Sequence, residues 1–227
     1  MIDIYNLKAR VFPMIIFFFP VILLAIVNAF QFTDLKQFCS SVIIMGSLTY
    51  LLSHIGRDKG KKKEPKLWES WGGAPSIQVM RYSNGEIPTL IKDRYFSKLN
   101  SLCAVPIVPN LLTEQSDPDK ADEIYALWGS YLRNNSRDQI KFNLVFTENT
   151  NYGFRRNLWG MKNLAIAWII VLMLLNYSHF VLAEGHFDLF FFPEASTINL
   201  LILLCSLAFW TLCDQGMGED GGFCLCA

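Results

Sequence analysis

The sequence predicts an all-α membrane protein with four transmembrane helices and a mostly helical cytoplasmic module between the second and the third. Two observations predict this class. First, 52% of the 227 residues are hydrophobic, which exceeds the usual share of a soluble domain. Second, the excess is concentrated in four segments without aspartate, glutamate, lysine or arginine, each about long enough to cross roughly 30 Å of hydrocarbon. The four segments are Val11–Phe30, Phe38–Ile55, Leu164–Ala183 and Ala195–Cys213.

These segments divide the chain into four parts. An N-terminal lead and spans 1 and 2 occupy residues 1–55, and the cytoplasmic module occupies 56–160. Spans 3 and 4 occupy 161–214, and a tail predicted to be flexible occupies 215–227. The last four residues formally match a prenylation signal, which is an alternative to a plain glycine-containing tail.

The first apolar segment follows Lys8 and Arg10, as the core of a cleaved signal peptide would. It is twenty residues long, however, contains Pro13 and Pro20, and is not followed by a small-x-small cleavage site. We therefore expect a retained span that is kinked at Pro20, because proline removes one helical hydrogen bond.

The second segment is rich in small and hydroxylated residues. Such residues let helices approach closely and form hydrogen bonds across an interface. We therefore expect this helix to face protein, either its own neighbours or another subunit of a homo-oligomer. The residues are Ser40, Ser41, Gly46, Ser47 and Thr49.

The distribution of lysine and arginine predicts the orientation. Four spans with short outer links place nineteen of the twenty basic residues on one side, and only Lys36 on the other. Because cytoplasmic loops carry the excess of basic residues, we expect a multi-pass inner-membrane protein with both termini in the cytoplasm. The module at 56–160 carries sixteen basic and twelve acidic residues, although the whole chain is neutral.

The first half of the module contains two predicted elements. Residues Ser76–Arg81 alternate enough for a short strand or a loop. Residues Thr89–Ala104 are predicted to form a helix, since their apolar residues recur near helical spacing. The predicted apolar face of this helix consists of Leu90, Tyr95, Leu99 and Leu102.

A second helix is predicted to begin at Asp117-Pro118, with aspartate as N-cap and proline at the first position. We expect it to break or bend at Asn134-Asn135. Ser136 is predicted to cap a third helix that reaches Thr150.

The segment Glu148–Lys162 joins the module to the third span. Its aromatic residues suit a membrane interface, and Arg155 and Arg156 suit a cytoplasmic lipid face. Gly153 and Gly160 lie where a helix could bend or two backbones could approach closely. The segment is interpreted either as an interfacial anchor or as an element that couples the module to the membrane spans.

The sequence supports no enzyme class. It lacks the nucleotide-binding, hydrolase and metalloprotease signatures, and its three histidines lie outside the module or at span ends. The module's single cysteine, Cys103, has no local activator. We expect no metal and no cofactor. No span carries an ionisable residue at its middle, so a pore would need hydroxyl and amide groups such as Asn28 and Asn176, in an oligomer.

One set of basic residues is a candidate ligand site. Arg133, Arg137 and Lys141 recur every four residues and would share a face if their helix continued. Arg155 and Arg156 are candidates for the same neighbourhood. Arginine forks suit phosphates, and nearby tryptophans and tyrosines suit base stacking. The alternative is a solvated basic face.

Several short motifs resemble a group of small bacterial membrane proteins. The motifs are Trp71-Gly72-Gly73-Ala74-Pro75, Arg94-Tyr95, Ala121-Asp122, Arg137-Asp138 and Tyr152-Gly153-Phe154-Arg155-Arg156-Asn157. In plan, with four spans around a cytoplasmic module, the chain is similar to membrane effectors of anti-phage defence, including the Hailong type. That resemblance implies a membrane channel controlled by a nucleotide or oligonucleotide that a partner nucleotidyltransferase makes.

We therefore expect an inner-membrane channel or membrane-disrupting effector, regulated by an anionic ligand at its cytoplasmic module. A non-catalytic membrane scaffold that recruits a cytoplasmic protein is the alternative, and a membrane-embedded enzyme is the third.

Overall fold

The computed structural model describes residues 4–28, 35–105, 108–184 and 194–212. Within these ranges the chain is all-helical and contains no strand, which confirms the predicted class of secondary structure. The helices are α1 (Ile4–Asn6), a π-helical turn (Leu7–Val11), α2 (Phe12–Val27), α3 (Leu35–Ser70), α4 (Pro75–Met80), α5 (Thr89–Cys103), α6 (Leu111–Ser116), α7 (Pro118–Asn135), α8 (Asn143–Glu184) and α9 (Glu194–Leu212).

The described chain forms two compact units. The first, which we call the bundle, contains the residues up to Lys63 and those from Thr150 onward. The second contains Glu64–Asn149, which lies within the predicted module at 56–160. From here on, the module means Glu64–Asn149. The division falls inside α3 and α8, so each of these helices contributes to both units. The predicted tail at 215–227 and most of the two outer links (residues 29–34 and 185–193) lie outside the described residues.

Two helices are long and apolar enough to cross a membrane, Ile4–Val27 and Asn143–His179. They cover most of the first and third predicted spans, Val11–Phe30 and Leu164–Ala183. The fourth predicted span corresponds to a shorter apolar helix, Ser196–Leu212, and the second lies within α3. The described chain therefore has two candidate spans, and the four-span arrangement stays a prediction.

The core of the bundle is formed by α2, α8 and α9. Large apolar side chains from these three helices are almost fully buried where the helices meet. Removing this apolar surface from water is favourable and stabilises the contact. The buried residues are Met14, Phe17, Phe18, Leu158, Met161, Ala165, Ile169, Leu203 and Trp210. From the described part of α3, the half-buried side chains of Met45 and Leu52 pack against this core.

The core of the module is formed by α5 and α7. Its fully buried residues are Phe96, Leu99, Ala121, Tyr125 and Trp128. The predicted helix at Thr89–Ala104 is confirmed, but its predicted apolar face is largely wrong. Leu99 is buried, whereas Leu90 is 80% exposed and Tyr95 is 55% exposed. Lys92 lies on the buried face instead.

Two other local predictions differ from the structure. Residues Pro75–Met80 form a short helix and not a strand. The prediction failed because six residues are too few to distinguish the helical from the strand periodicity.

The predicted helix start at Asp117 is confirmed, and the Asp117 carboxylate accepts a hydrogen bond from the Lys120 amide (3.2 Å). The predicted cap at Ser136 is wrong, since the next helix begins only at Asn143.

Candidate functional site

Helices α3 and α8 cross with their backbones in direct contact. A Cβ atom added to Gly160 would lie 2.5 Å from both the Gly56 carbonyl oxygen and the Gly60 nitrogen. A Cβ atom on Gly60 would lie 2.7 Å from the Arg156 carbonyl oxygen. Real Cβ atoms do not approach backbone atoms this closely. We call this contact of Gly56, Gly60 and Gly160 the glycine crossing.

The glycine crossing decides between the two interpretations of the glycines in Glu148–Lys162. The helix is continuous through both glycines, and both of them allow a close approach of another helix. Gly46 of the predicted second span makes no close contact within the single chain, since a Cβ there would meet no atom within 4 Å. A contact of this span with another subunit stays a prediction. The Gly56-x-x-x-Gly60 spacing is the sequence signal for this contact, but the charged residues between its glycines hide it.

The N-terminal helix is joined to α8 by one buried amide. Asn157, which is 1% exposed, donates from Nδ2 to the Ala9 carbonyl oxygen (2.7 Å). Ala9 belongs to the π-helical turn before α2, so Asn157 of α8 ties this turn to the bundle through a buried side-chain donor. Gly153 allows the same contact, since a Cβ there would lie 3.0 Å from the Tyr5 hydroxyl oxygen.

Two lysines bind backbone carbonyls at the same end of the bundle. Lys63 donates from Nζ to the Trp159 carbonyl oxygen (3.0 Å), and its ammonium lies 4.6 Å from the centre of the Trp159 ring. Lys162 donates to the Thr211 carbonyl oxygen (3.0 Å). Because Thr211 lies in the last turn of α9, Lys162 satisfies a helix-end carbonyl and opposes the negative end of the helix dipole.

The two predicted ligand arginines on α8 differ in their surroundings. Arg155 is exposed. Arg156 is half-buried, and its guanidinium carbon lies 5.8 Å from the centre of the Tyr152 ring. Arg155 is therefore the more accessible of the pair, and Arg156 is partly engaged in packing along its own helix.

The other three predicted ligand residues do not share a helical face. Arg133 lies in the last turn of α7, which ends at Asn135 as predicted, so the condition for a face shared by Arg133, Arg137 and Lys141 is not met. Arg137 donates from Nη2 to the Asn134 side-chain oxygen (2.8 Å). Lys141 lies in the turn before α8, with its ammonium 5.3 Å from the centre of the Phe142 ring. These three belong to the module, whereas Arg155 and Arg156 belong to the bundle.

Asp138 shapes the turn that carries Lys141. Its carboxylate accepts hydrogen bonds from the backbone amides of Ile140 (2.9 Å) and Lys141 (3.1 Å). These bonds favour the ionised form and hold the pKa of Asp138 below its ordinary value. Asp138 therefore acts locally on this turn.

The module contains a buried carboxylate that sequence reasoning missed. Glu114, which is 7% exposed, accepts hydrogen bonds from the Tyr82 amide (2.7 Å), the Ser83 hydroxyl (2.7 Å) and the Tyr125 hydroxyl (2.9 Å). The Ser83 amide also donates to it. Burial alone would raise the pKa of Glu114, but these hydrogen bonds outweigh burial and hold the pKa below its ordinary value. Burial likewise raises the pKa of Tyr125, so its hydroxyl remains a donor.

Two more charged side chains hold the same segment. Arg81 forms a two-point ion pair with Asp122 and donates to the Gly72 carbonyl oxygen (3.1 Å). Lys92, which is 1% exposed, donates to the carbonyl oxygens of Arg81 and Asn84. Burial lowers the pKa of Lys92, and the charge of Glu114 opposes that shift. We call Arg81, Lys92, Glu114 and Asp122 the charged brace, because together they fix residues 72–84.

Polar residues in the apolar helices of the bundle bind one another. Asn28 donates to the Asn199 side-chain oxygen (3.1 Å), and Asn199 donates to the Asn176 side-chain oxygen (3.2 Å). These bonds link the end of α2 with α8 and α9. In the single chain these amides therefore hold helices together.

The described residues offer no group of three or more histidine, cysteine, aspartate or glutamate side chains that could hold a metal ion. A shallow depression is lined by Arg94, Tyr95, Ser97, Lys98 and Ser101, all of which belong to α5. Since it has no second wall, it is not an enclosed ligand pocket.

No family model, curated protein or solved structure matches the chain. The resemblance to defence effectors stays a prediction.

Proposed function

We propose that the chain is a four-span inner-membrane effector, a channel or membrane-disrupting protein, that responds to an anionic ligand at its cytoplasmic side. Both termini are cytoplasmic in this proposal, and the ligand is a nucleotide or oligonucleotide from a partner nucleotidyltransferase, most simply in anti-phage defence. The single observation that carries the proposal is the continuity of α8 from Asn143 to Glu184.

That continuity places an exposed cation and an apolar span on one rigid element. Arg155 lies about two helical turns before Leu164, where the predicted span begins. Within the bundle, the glycine crossing and the Lys63–Trp159 contact join this part of α8 to α3. A ligand that moved Arg155 would therefore move the membrane segment of α8 and its contact with α3.

The energy required is within reach of a few contacts. A hydrogen bond to a charged group contributes about 1.5–3 kcal/mol. Switching a population from mostly closed to mostly open needs about 5.5 kcal/mol of differential binding. Two or three phosphate contacts made in only one state would supply that difference.

Replacing Arg155 with glutamate should abolish ligand-triggered flux, because it removes an exposed cation and repels phosphate. The measurement is potassium release from liposomes that contain the full chain, after addition of ATP, cyclic di-AMP or a 5′-phosphorylated triadenylate. Arg94→Glu is the matched control, since Arg94 is also exposed but lies on α5. Unchanged release by Arg155→Glu, or no release from the wild type with any of these probes, would contradict the proposal.

The proposal includes a homo-oligomer, because a pore lined by hydroxyl and amide groups would need helices from several chains. The second span is the natural interface, since Gly46 is exposed and has no neighbour within 4 Å. Gly46→Leu should therefore reduce the oligomer mass in mild detergent while the single chain keeps its fold. Ile43→Leu, at a residue 68% exposed on the same helix, is the control. An unchanged mass in Gly46→Leu would remove this helix from the interface.

The second candidate function is a membrane scaffold that recruits a cytoplasmic protein. One observation favours it: α5 exposes Leu90, Ile91, Tyr95 and Leu102 while its other face is buried in the module. Exposed apolar residues on one helix are typical of docking surfaces. A scaffold would show no ligand-triggered potassium release, so the liposome experiment separates the two functions.

A further inference from the structure

We propose that the exposed face of α5 binds the surface of an anionic lipid bilayer. The face lies wholly within the module and combines apolar side chains with two cations. Its apolar residues alone would also suit a protein partner, but the arrangement of the cations favours lipid headgroups. We call this face the α5 strip, and it consists of Ile91, Arg94, Tyr95, Lys98 and Leu102.

Helical spacing and exposure define the α5 strip. Four of its members stand at positions i, i+4, i+7 and i+11, which follow one side of a helix, and Arg94 lies beside them, four residues before Lys98. The three apolar side chains are exposed by 41% (Ile91), 55% (Tyr95) and 47% (Leu102). Arg94, Tyr95 and Lys98 line the same shallow depression, so they share one surface. A different face of α5 is buried in the module and carries Lys92, Phe96 and Leu99.

The charges of α5 suit an anionic partner. Arg94 and Lys98 are exposed, and in the part of the chain that the structure describes neither forms an ion pair. The single carboxylate of α5 is Asp93, which accepts a hydrogen bond from the Tyr82 hydroxyl (2.6 Å). Because a helix turns by about 100° per residue, Asp93 lies about 160° from Tyr95 and about 140° from Lys98 around the helix axis. The α5 strip therefore carries positive charge without a neighbouring carboxylate of its own helix.

The order of residues along the strip favours lipid over protein. An apolar strip with basic residues beside it is typical of a helix that lies in a membrane interface. The Tyr95 ring suits the headgroup level, and the long side chains of Arg94 and Lys98 can reach the headgroup phosphates. Lysine is depleted at the centres of protein interfaces, yet Lys98 stands between Tyr95 and Leu102.

The covalent connection of the module makes a modest surface sufficient. The module ends at Asn149 within α8, and α8 is long and apolar enough to cross a membrane. A tethered surface meets its partner at a high effective concentration, so a weak contact is populated without any additional anchor. Three apolar and two basic side chains can therefore hold the strip at a bilayer that α8 crosses.

The test introduces a photo-crosslinking residue into the full chain. Tyr95 is replaced by p-benzoylphenylalanine, and the protein is reconstituted into nanodiscs that contain phosphatidylglycerol and phosphatidylcholine. Illumination should add the mass of one lipid to the chain, which intact-protein mass spectrometry measures. The matched control carries p-benzoylphenylalanine at Leu127, which is 50% exposed on α7, four residues after the exposed Glu123. The control should give little lipid adduct.

A second variant tests the cations. Arg94→Gln with Lys98→Gln should lower the adduct yield at position 95 by up to about thirtyfold, because each basic residue near an anionic surface contributes about a fivefold preference. Omission of phosphatidylglycerol should lower the yield in the same direction. A yield that neither change lowers would overturn the assignment to an anionic bilayer.

The remaining outcomes are equally decisive. A lipid adduct at position 95 with little adduct at position 127 supports the inference, whereas equal yields at the two positions overturn it. A covalent dimer in place of the lipid adduct also overturns it, since a second copy of the chain would then cover the strip. The inference does not rest on the proposed ligand response, because lipid contact at α5 requires neither a ligand nor potassium release.

Discussion

Gly160→Ala is expected to destabilise the bundle by about 1–3 kcal/mol, the usual cost of forcing an extra group into a packed contact. The added Cβ would lie 2.5 Å from backbone atoms of Gly56 and Gly60. Backbone atoms cannot rotate away as the end of a side chain can. The two helices must therefore separate, which also strains the Lys63–Trp159 contact.

The matched control is the same substitution at Gly129 of α7, where an added Cβ would meet only the end of the Arg133 side chain, at 3.5 Å. Alanine favours a helix over glycine by about 0.8–1 kcal/mol, so Gly129→Ala should be neutral or stabilising. The free energy of unfolding is measured by circular dichroism while denaturing detergent is titrated into mixed micelles. If the two variants unfold alike, the glycine crossing is not a close contact in the protein.

Glu114→Gln is expected to lower the free energy of local unfolding of residues 82–84 by about 3 kcal/mol. The reason is that buried donors without an acceptor cost about 1–3 kcal/mol each. Glutamine has one acceptor oxygen, and its amide group would face the donors of Tyr82, Ser83 and Tyr125. The measurement is hydrogen exchange of the Tyr82 and Ser83 amides in the full chain. Their protection factors should fall by about a hundredfold, since 1.4 kcal/mol corresponds to a factor of ten.

The same carboxylate predicts a pH dependence with a definite sign. The folded pKa of Glu114 is below its ordinary value of 4.5, so its contribution is present above that pH. The contribution is lost as the pH falls from there through the folded pKa. Protection of the Tyr82 and Ser83 amides should therefore fall in acid in the wild type and remain nearly constant in Glu114→Gln.

Glu123→Gln is the control for both experiments, because Glu123 is exposed on α7. It should leave the protection of Tyr82 and Ser83 unchanged. A loss of protection in Glu123→Gln equal to that in Glu114→Gln would show that general charge, and not the charged brace, controls this segment.

Local chemistry was enough to predict several elements. The N-cap of α7 follows from Asp117 and Pro118, which act on the first turn without any distant partner. The bounds of α5 and the presence of helices across all four apolar segments follow in the same way from composition and spacing. Hydrophobic content also predicted the two helices that are long enough to cross a membrane.

The predicted ligand set shows where spacing misleads. Arg133, Arg137 and Lys141 have helical spacing, but spacing defines a face only while the helix continues. Asn135 ends α7, and the Asp138 carboxylate stabilises a turn instead, through bonds to the backbone of the turn. The structure identifies the exposed cation of the α8 pair, Arg155, because exposure depends on neighbours that lie far away in the chain.

The sequence by itself determined that this is a helical protein with a basic end and apolar helices, because those features depend on neighbours within a few turns. Only the tertiary structure decided which residues are buried. Lys92 enters the core of the module because Glu114, Arg81 and Asn84 supply compensating charge and carbonyl oxygens there. In the sequence, Gly56 and Gly60 lie in a charged stretch that is typical of a solvated turn. In the structure, Gly160 of α8 packs against both of them. Two helix backbones come into close contact only where neither of them carries a side chain. The glycines that meet here, Gly60 and Gly160, are about a hundred residues apart in the sequence.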